Sequence, residues 1–247
     1  GRIAADSICG RPSRYRGTQG TAIVQVFDWV LACTGANERK LRQCGIAYEK
    51  IYLHPPHHAG YYPGATPLHM KVLFSPDDGR LLGAQIVGRQ GVAERINVLA
   101  FALQTQATVF DLEEAELAYA PQFGSAKDPI NQAGFIAGNI LRHDVSVAHW
   151  DQCSPNCLNE QGEDSRPVIL DVRTSSERDA QAVPGSIHIP LGELRTRLDQ
   201  LPQDRPIWVY CGVGQRAYYA ARILQQHGFQ AANLSGGLTT YRMVQKK

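Results

Sequence analysis

The sequence predicts two domains, an α+β unit followed by a smaller α/β unit. Three observations carry that reading. Residues 70–74 and 81–87 are apolar, strand-like runs that flank Ser75-Pro76-Asp77-Asp78-Gly79, a strong hairpin turn, and helical patterns follow them. Further on, Pro206-Ile207-Trp208-Val209-Tyr210 is an apolar strand that passes through a glycine-bearing loop into a helix. Between the halves, residues 143–165 are polar and poor in aliphatics, and contain Ser-Pro-Asn and Gln-Gly-Glu-Asp, as linkers do.

Each element has a local cause. Residues 21–31 alternate Ala22, Val24 and Val26 at a strand period. Residues 92–106 place Val92, Ile96, Leu99, Ala100 and Leu103 on one helical face. Asp128 and Pro129 read as an N-cap followed by proline at the first helical position, opening a helix that runs to Arg142. Antiparallel strands followed by helices indicate α+β. In the second half, residues 217–226 put Ala217, Ala220, Ala221 and Leu224 on one helical face.

The 247 residues suit one or two domains, and 43% apolar with 19% charged residues is a globular composition. A net charge of +2 gives no argument for a nucleic-acid or membrane partner. No apolar run approaches the ~18 residues of a membrane-spanning helix. The start, Gly1-Arg2-Ile3-Ala4-Ala5-Asp6, has no initiator Met and no signal-peptide pattern. It reads as a cut inside a helix, so the chain is expected to be a piece of a longer protein. Six cysteines without a Cys-x-x-Cys pair, in a chain of this size, favour reduced thiols in the cytoplasm over disulfides. Cys9, Cys33 and Cys44 read as structural or incidental.

Cys211 is the strongest chemical signal. It ends the 206–210 strand and opens Cys211-Gly212-Val213-Gly214-Gln215-Arg216 before the helix. Loop N–H groups and the positive end of a helix converge on whatever sits in such a loop. A field of that kind lowers the pKa of a thiol and makes it nucleophilic. Gly212 and Gly214 allow the backbone to turn its amides inward. Arg216 is one residue too early for the Cys-x5-Arg loop of cysteine-dependent phosphatases, where Ala217 would stand. A loop of this size suits a persulfide better than a phosphate. The plainer reading, a free cysteine packed as a small apolar group, leaves the two glycines and the arginine unexplained.

Two loops in the first half exceed what a fold requires. Residues 57–65, His57-His58-Ala59-Gly60-Tyr61-Tyr62-Pro63-Gly64-Ala65, and residues 119–129 are dense in tyrosine, glycine and proline. Tyrosines there can donate to an anion, although amphipathic packing is their commoner use. His57 and His58 could form a metal pair, but adjacent residues seldom point at one ion, and backbone bonding is the simpler expectation. His149, Cys153 and Cys157 would share a helical face around zinc, but Pro155 opposes a helix there. Cys153 or Cys157 could also resolve a persulfide on Cys211. Two exposed linker thiols are the plainer alternative.

The second half resembles the rhodanese (sulfurtransferase) family over about 80 residues. The resemblance rests on Val168-Ile169-Leu170-Asp171-Val172-Arg173, on residues 183–191, on the Cys211 loop and on Asn233-Leu234-Ser235-Gly236-Gly237. Val183 and Tyr241 depart from the family pattern without touching the chemistry. The resemblance implies a central parallel sheet, and a persulfide on Cys211 cradled by Gly212, Val213, Gly214, Gln215 and Arg216.

The first half resembles the C-terminal part of flavin-dependent pyridine nucleotide–disulfide oxidoreductases, in the coenzyme A–disulfide reductase branch. Residues 17–21, 59–65, 78–85 and 119–129 carry that likeness. It implies a dimerisation domain, with Tyr61 and Tyr119 reaching across to the partner subunit's redox cysteine and bound CoA thiolate. Tyr62 stands beside Tyr61 as the alternative.

The expected layout is a remnant of a flavin domain at 1–19, a dimerisation domain at 20–142, a linker at 143–164 and the rhodanese-like domain at 165–247. The flavin fingerprint, the Gly-x-Gly-x-x-Gly motifs and the redox cysteine are expected upstream, so FAD, NADH and CoA belong to the full-length parent. The parent is expected to be a cytoplasmic homodimer reducing CoA persulfides, polysulfides or CoA disulfide. The rivals are a non-redox sulfurtransferase acting on thiosulfate or persulfides, and a rhodanese used only as a regulatory module, which the presence of Cys211 disfavours.

Overall fold

Among the described residues, two five-stranded sheets organise the fold, one antiparallel and one parallel. The structure, a computed structural model, describes residues 1–152 and 166–245. In the first body the elements are α1 (Arg2–Ile8), β1 (Ala22–Val26), β2 (Trp29–Gly35), α2 (Glu38–Gln43) and β3 (Glu49–Leu53). They continue with β4 (Leu68–Phe74), β5 (Leu81–Gly88), α3 (Val92–Gln104), α4 (Val109–Glu114) and α5 (Pro129–Leu141). The strand order is β1-β2-β5-β4-β3, every pair antiparallel.

Helices α3 and α5 pack on this sheet. Ile51, Met70, Phe74 and Ile86 from the strands meet Ile96, Leu99 and Ile130 from the helices in one buried core. Full burial of each such side chain is worth about 1.5–3 kcal/mol. The Asp128 carboxylate accepts from the Ile130 amide at 3.0 Å, and Asn131 accepts in return from the Asp128 amide, so α5 starts on a reciprocal cap with Pro129 just inside.

The 21–31 run departs from a single strand. It folds back at Phe27, whose φ is 51°, and becomes the β1–β2 hairpin, and all five β1 residues are exposed. Alternation there marks an edge strand with neither face covered among the described residues.

In the second body the elements are β6 (Ser146–Ala148), β7 (Val168–Asp171), α6 (Ser175–Ala180), β8 (Ile187–His188), β9 (Ile207–Tyr210), α7 (Gln215–Gln226), β10 (Ala231–Leu234) and α8 (Gly237–Val244). The parallel order is β6-β10-β9-β7-β8. The buried face of α7 is the one its sequence predicts: Ala217, Ala220, Ala221 and Leu224 are all fully buried.

Residues 143–152, at the start of the expected 143–164 linker, hold structure of their own. Ser146–Ala148 pairs in parallel with Ala232–Leu234, and the buried Trp150 indole donates to the Gly237 carbonyl at 2.9 Å. A three-residue edge strand is too short to show a period, and its partner lies far along the chain. Residues 153–164 of that expected linker lie outside the described residues.

The two bodies touch through polar contacts. The Tyr52 amide donates to Ser235 Oγ at 2.8 Å, and Lys50 pairs with Asp151 at 2.8 Å. His54 Nε2 meets Thr240 Oγ1 at 2.8 Å, while its Nδ1 lies 2.9 Å from His69 Nδ1. Glu38 gathers Lys50 and Lys71 behind this contact, which hold its carboxyl down at about 2 against the opposing effect of burial.

Candidate functional site

Cys211 follows β9 and is 1% exposed. The Gly214 amide donates to its Sγ at 3.2 Å, and α7 begins at the next residue, so the helix's N-terminal amides follow that donor. Gly214 turns with a φ of 105°, which L side chains rarely adopt. The loop is braced from α8: the Leu238 amide donates to the Cys211 carbonyl at 2.8 Å, and the Thr239 amide to the Gly212 carbonyl at 3.0 Å. Asn233 Nδ2 donates to the Gly214 carbonyl at 3.2 Å. A Cβ on Gly237 would stand 2.4 Å from the Cys211 carbonyl oxygen, so only glycine allows this approach.

The other loop residues divide. Val213 and Gln215 are exposed, and Gln215 Nε2 donates to the Tyr219 hydroxyl at 3.4 Å. The Arg216 guanidinium lies against the loop, with Nη2 3.7 Å from where a Cβ on Gly212 would stand, yet both its terminal nitrogens go to Glu177, at 2.7 and 2.6 Å. Glu177 in turn accepts from the Thr174 amide and hydroxyl at 3.1 and 3.0 Å, capping α6. Arg216 holds the Glu177 carboxyl down at about 2, and Glu177 raises the Arg216 pKa in return. The pattern Thr174-x-x-Glu177 marks a helix start in sequence, but its pairing with a residue 39 positions away does not show there.

Behind the loop, the fully buried Asp171 accepts from Arg173 Nε and Nη2 at 2.9 and 2.6 Å and from the Tyr210 hydroxyl at 2.8 Å. Burial pushes its carboxyl up, but these donors outweigh it and leave its pKa lowered. The Val183 amide donates to the Tyr210 hydroxyl at 3.1 Å, so the end of β9 is fixed immediately before Cys211.

In the first body the structure brings Tyr61 and Tyr119 together at the surface, their hydroxyls 2.9 Å apart. Arg95 anchors both loops: it donates to the His57 carbonyl at 2.9 Å and pairs with Asp128 at 2.7 Å, in a buried contact. The Ala59 amide donates to the Gly124 carbonyl at 2.8 Å. Tyr62 instead sets its ring edge-on to His58, centroids 5.6 Å apart. His57 and His58 bond to backbone, through Thr66 and the Ala59 carbonyl. His149 is buried against Tyr52, and burial pushes its pKa down to about 4. Cys153 and Cys157 lie outside the described residues. Among those described, no group of three or more His, Cys, Asp or Glu side chains is placed to hold a metal.

Comparisons with known proteins match each half of the chain to a known domain. Residues 21–128 match the pyridine nucleotide-disulphide oxidoreductase dimerisation domain, and residues 154–243 match the rhodanese-like domain. Coenzyme A disulfide reductase of Staphylococcus epidermidis is 41% identical over 136 residues, 55% of this chain and 31% of the relative. The structure of reduced Bacillus anthracis CoADR-RHD is similar with a TM-score of 0.90 at 41% identity, over 97% of this chain and 42% of that one. An NAD-dependent persulfide reductase from A. fulgidus gives 0.84 at 34% identity, over 96% and 42%. The chain thus spans about a third of the curated relatives it matches and about two fifths of these structures.

Proposed function

Because the chain joins a pyridine nucleotide-disulphide oxidoreductase dimerisation domain to a rhodanese-like domain, we propose that it is the C-terminal part of a reductase of CoA persulfides, polysulfides or CoA disulfide. In this reading FAD and NADH serve an upstream part and supply its electrons. Residues 1–19 close that upstream domain, residues 20–142 form the homodimer, and the whole works in the cytoplasm. The glycine loop at Cys211 is filled by its own sulfur and by α8. That loop therefore does not fit a flavin or dinucleotide.

The observation that carries the reading is the Cys211 sulfur held by a loop amide inside a braced turn. The Cys211 thiolate attacks the outer sulfur of a donor R–S–S⁻. The donor's S–S bond breaks, R–S⁻ leaves, and Cys211–S–S⁻ remains. The Gly214 amide donates to Sγ, the atom that carries the charge in the attacking thiolate. An acceptor thiol then takes the outer sulfur. In the first body, the Tyr61 and Tyr119 hydroxyls donate to the thiolate that leaves at the partner subunit's redox site. The test is NADH-dependent sulfide release by the full-length protein. Release that needs NADH supports the reductase, whereas sulfur transfer without it would leave a plain sulfurtransferase, for which the Cys211 loop alone suffices.

A further inference from the structure

We propose that Glu177 is a specificity-determining residue, which through its clamp on Arg216 turns the Cys211 site away from dianionic sulfur donors and toward donors of low charge. This rests on the reading of Cys211 as the sulfur acceptor.

Arg216 is a cation lying against the loop at Gly212, the residue after Cys211, and it has the fork that grips an oxyanion. That fork is engaged from the other side. Both terminal nitrogens lie on the two Glu177 oxygens, in the bidentate geometry that makes such pairs strong. Glu177 is itself fixed as the third residue of α6 by the Thr174 amide and hydroxyl. The loop therefore presents a neutral ion pair where a lone arginine would present a positive charge. A sulfonate group arriving beside Cys211 meets a carboxylate as well as a guanidinium. An alkyl polysulfide without that charge meets no such cost. Val213, exposed at the rim of the loop, adds an apolar surface of the same preference.

With thiosulfate, Cys211–S⁻ attacks the outer sulfur, the S–S bond breaks, and sulfite leaves as SO₃²⁻ with Cys211–S–S⁻ formed. With a dialkyl trisulfide, Cys211–S⁻ attacks a terminal sulfur, an alkyl persulfide anion leaves, and a mixed disulfide forms on Cys211.

The test is Glu177→Gln in the whole chain. Glutamine keeps the reciprocal cap on α6 while removing the negative charge. The reaction of Cys211 is followed by intact mass with thiosulfate and with a neutral dialkyl trisulfide, at low and high salt. The ratio of thiosulfate to trisulfide efficiency should rise about fivefold, as befits a partly exposed charge pair. The gain should lie in the KM for thiosulfate and fall as salt is added. In an Arg216→Gln background, Glu177→Gln should leave the ratio where it is, since the two residues then no longer couple. An unchanged ratio in the single variant, with Cys211 still reacting, overturns the specificity role alone. So does a change that persists without Arg216. Failure of Cys211 to react with either donor in the parent chain overturns the sulfur-acceptor reading and this inference with it.

Discussion

The hydroxyls of Tyr61 and Tyr119 share a hydrogen bond of 2.9 Å, although 58 residues separate them and both rings are exposed, by 76% and 48%. Two exposed tyrosines held together without a core around them are placed by their loops, and those loops are placed by Arg95. The bond raises the Tyr61 pKa, chiefly through Tyr119. Tyr119→Phe should return Tyr61 toward the ordinary phenol value, which an absorbance titration of the phenolate would register.

In the full-length protein, Tyr→Phe at both positions should lower turnover of a persulfide substrate. Losing a hydrogen bond to a developing thiolate costs on the order of 1–3 kcal/mol, or about tenfold to a hundredfold in rate. Reduction of the flavin by NADH, which does not involve that thiolate, should slow far less. Stopped-flow traces of the two half-reactions separate the effects, and an equal loss in both would contradict the proposed role.

Asp128→Ala should be among the most damaging substitutions in the first body. It leaves Arg95 charged and buried with its closest carboxylate gone, and it removes the cap of α5. Breaking a buried pair in this way costs about 3–5 kcal/mol, readable as a lower denaturation midpoint.

Much of this was legible in the sequence. The Ser75–Gly79 turn, the Asp128-Pro129 helix start and the Cys211 loop follow from local chemistry and appear where they are expected. What could not be read depends on partners distant in the chain. Ser146–Ala148 has strand character only because Ala232–Leu234 lies beside it. Glu177 shows itself as a cap in sequence, and as the partner of Arg216 only in space. The β1 alternation marks the strand but not the turn at Phe27, and among the described residues that strand is exposed throughout.

Acid should loosen the contact between the two bodies. Burial, with a contribution from His69, pushes the His54 pKa down to about 3, and burial pushes that of His149 down to about 4. Both imidazoles stay neutral in the folded chain at pH values where the unfolded chain, titrating near 6.5, takes up protons. Their contribution is therefore complete above pH 6.5 and is lost as pH falls through 6.5 toward those folded values. The depressed carboxylates of Glu38 and Asp171 act lower, where their unfolded forms begin to protonate. His54→Gln should flatten the fall in stability between pH 6.5 and 4, measured by denaturant unfolding at each pH. A slope identical to the parent's would exclude His54 as its source.

Gly237→Ala should disable the Cys211 loop while sparing most of the fold. Its φ of 56° disfavours a side chain, and the added Cβ would strike the Cys211 carbonyl. The expected outcome is a large drop in sulfur loading with a smaller change in melting temperature. Loading at the parent rate would mean that the brace from α8 is dispensable.

The central claim is that Cys211 is the sulfur acceptor, and intact-mass analysis of Cys211→Ser beside the parent chain tests it most directly. After incubation with a persulfide or polysulfide donor, the parent should gain the mass of one sulfur, located on Cys211 by peptide mapping. The serine variant, folded as judged by its unfolding transition, should gain none. A gain of one sulfur in the variant, on any other cysteine, would contradict the account.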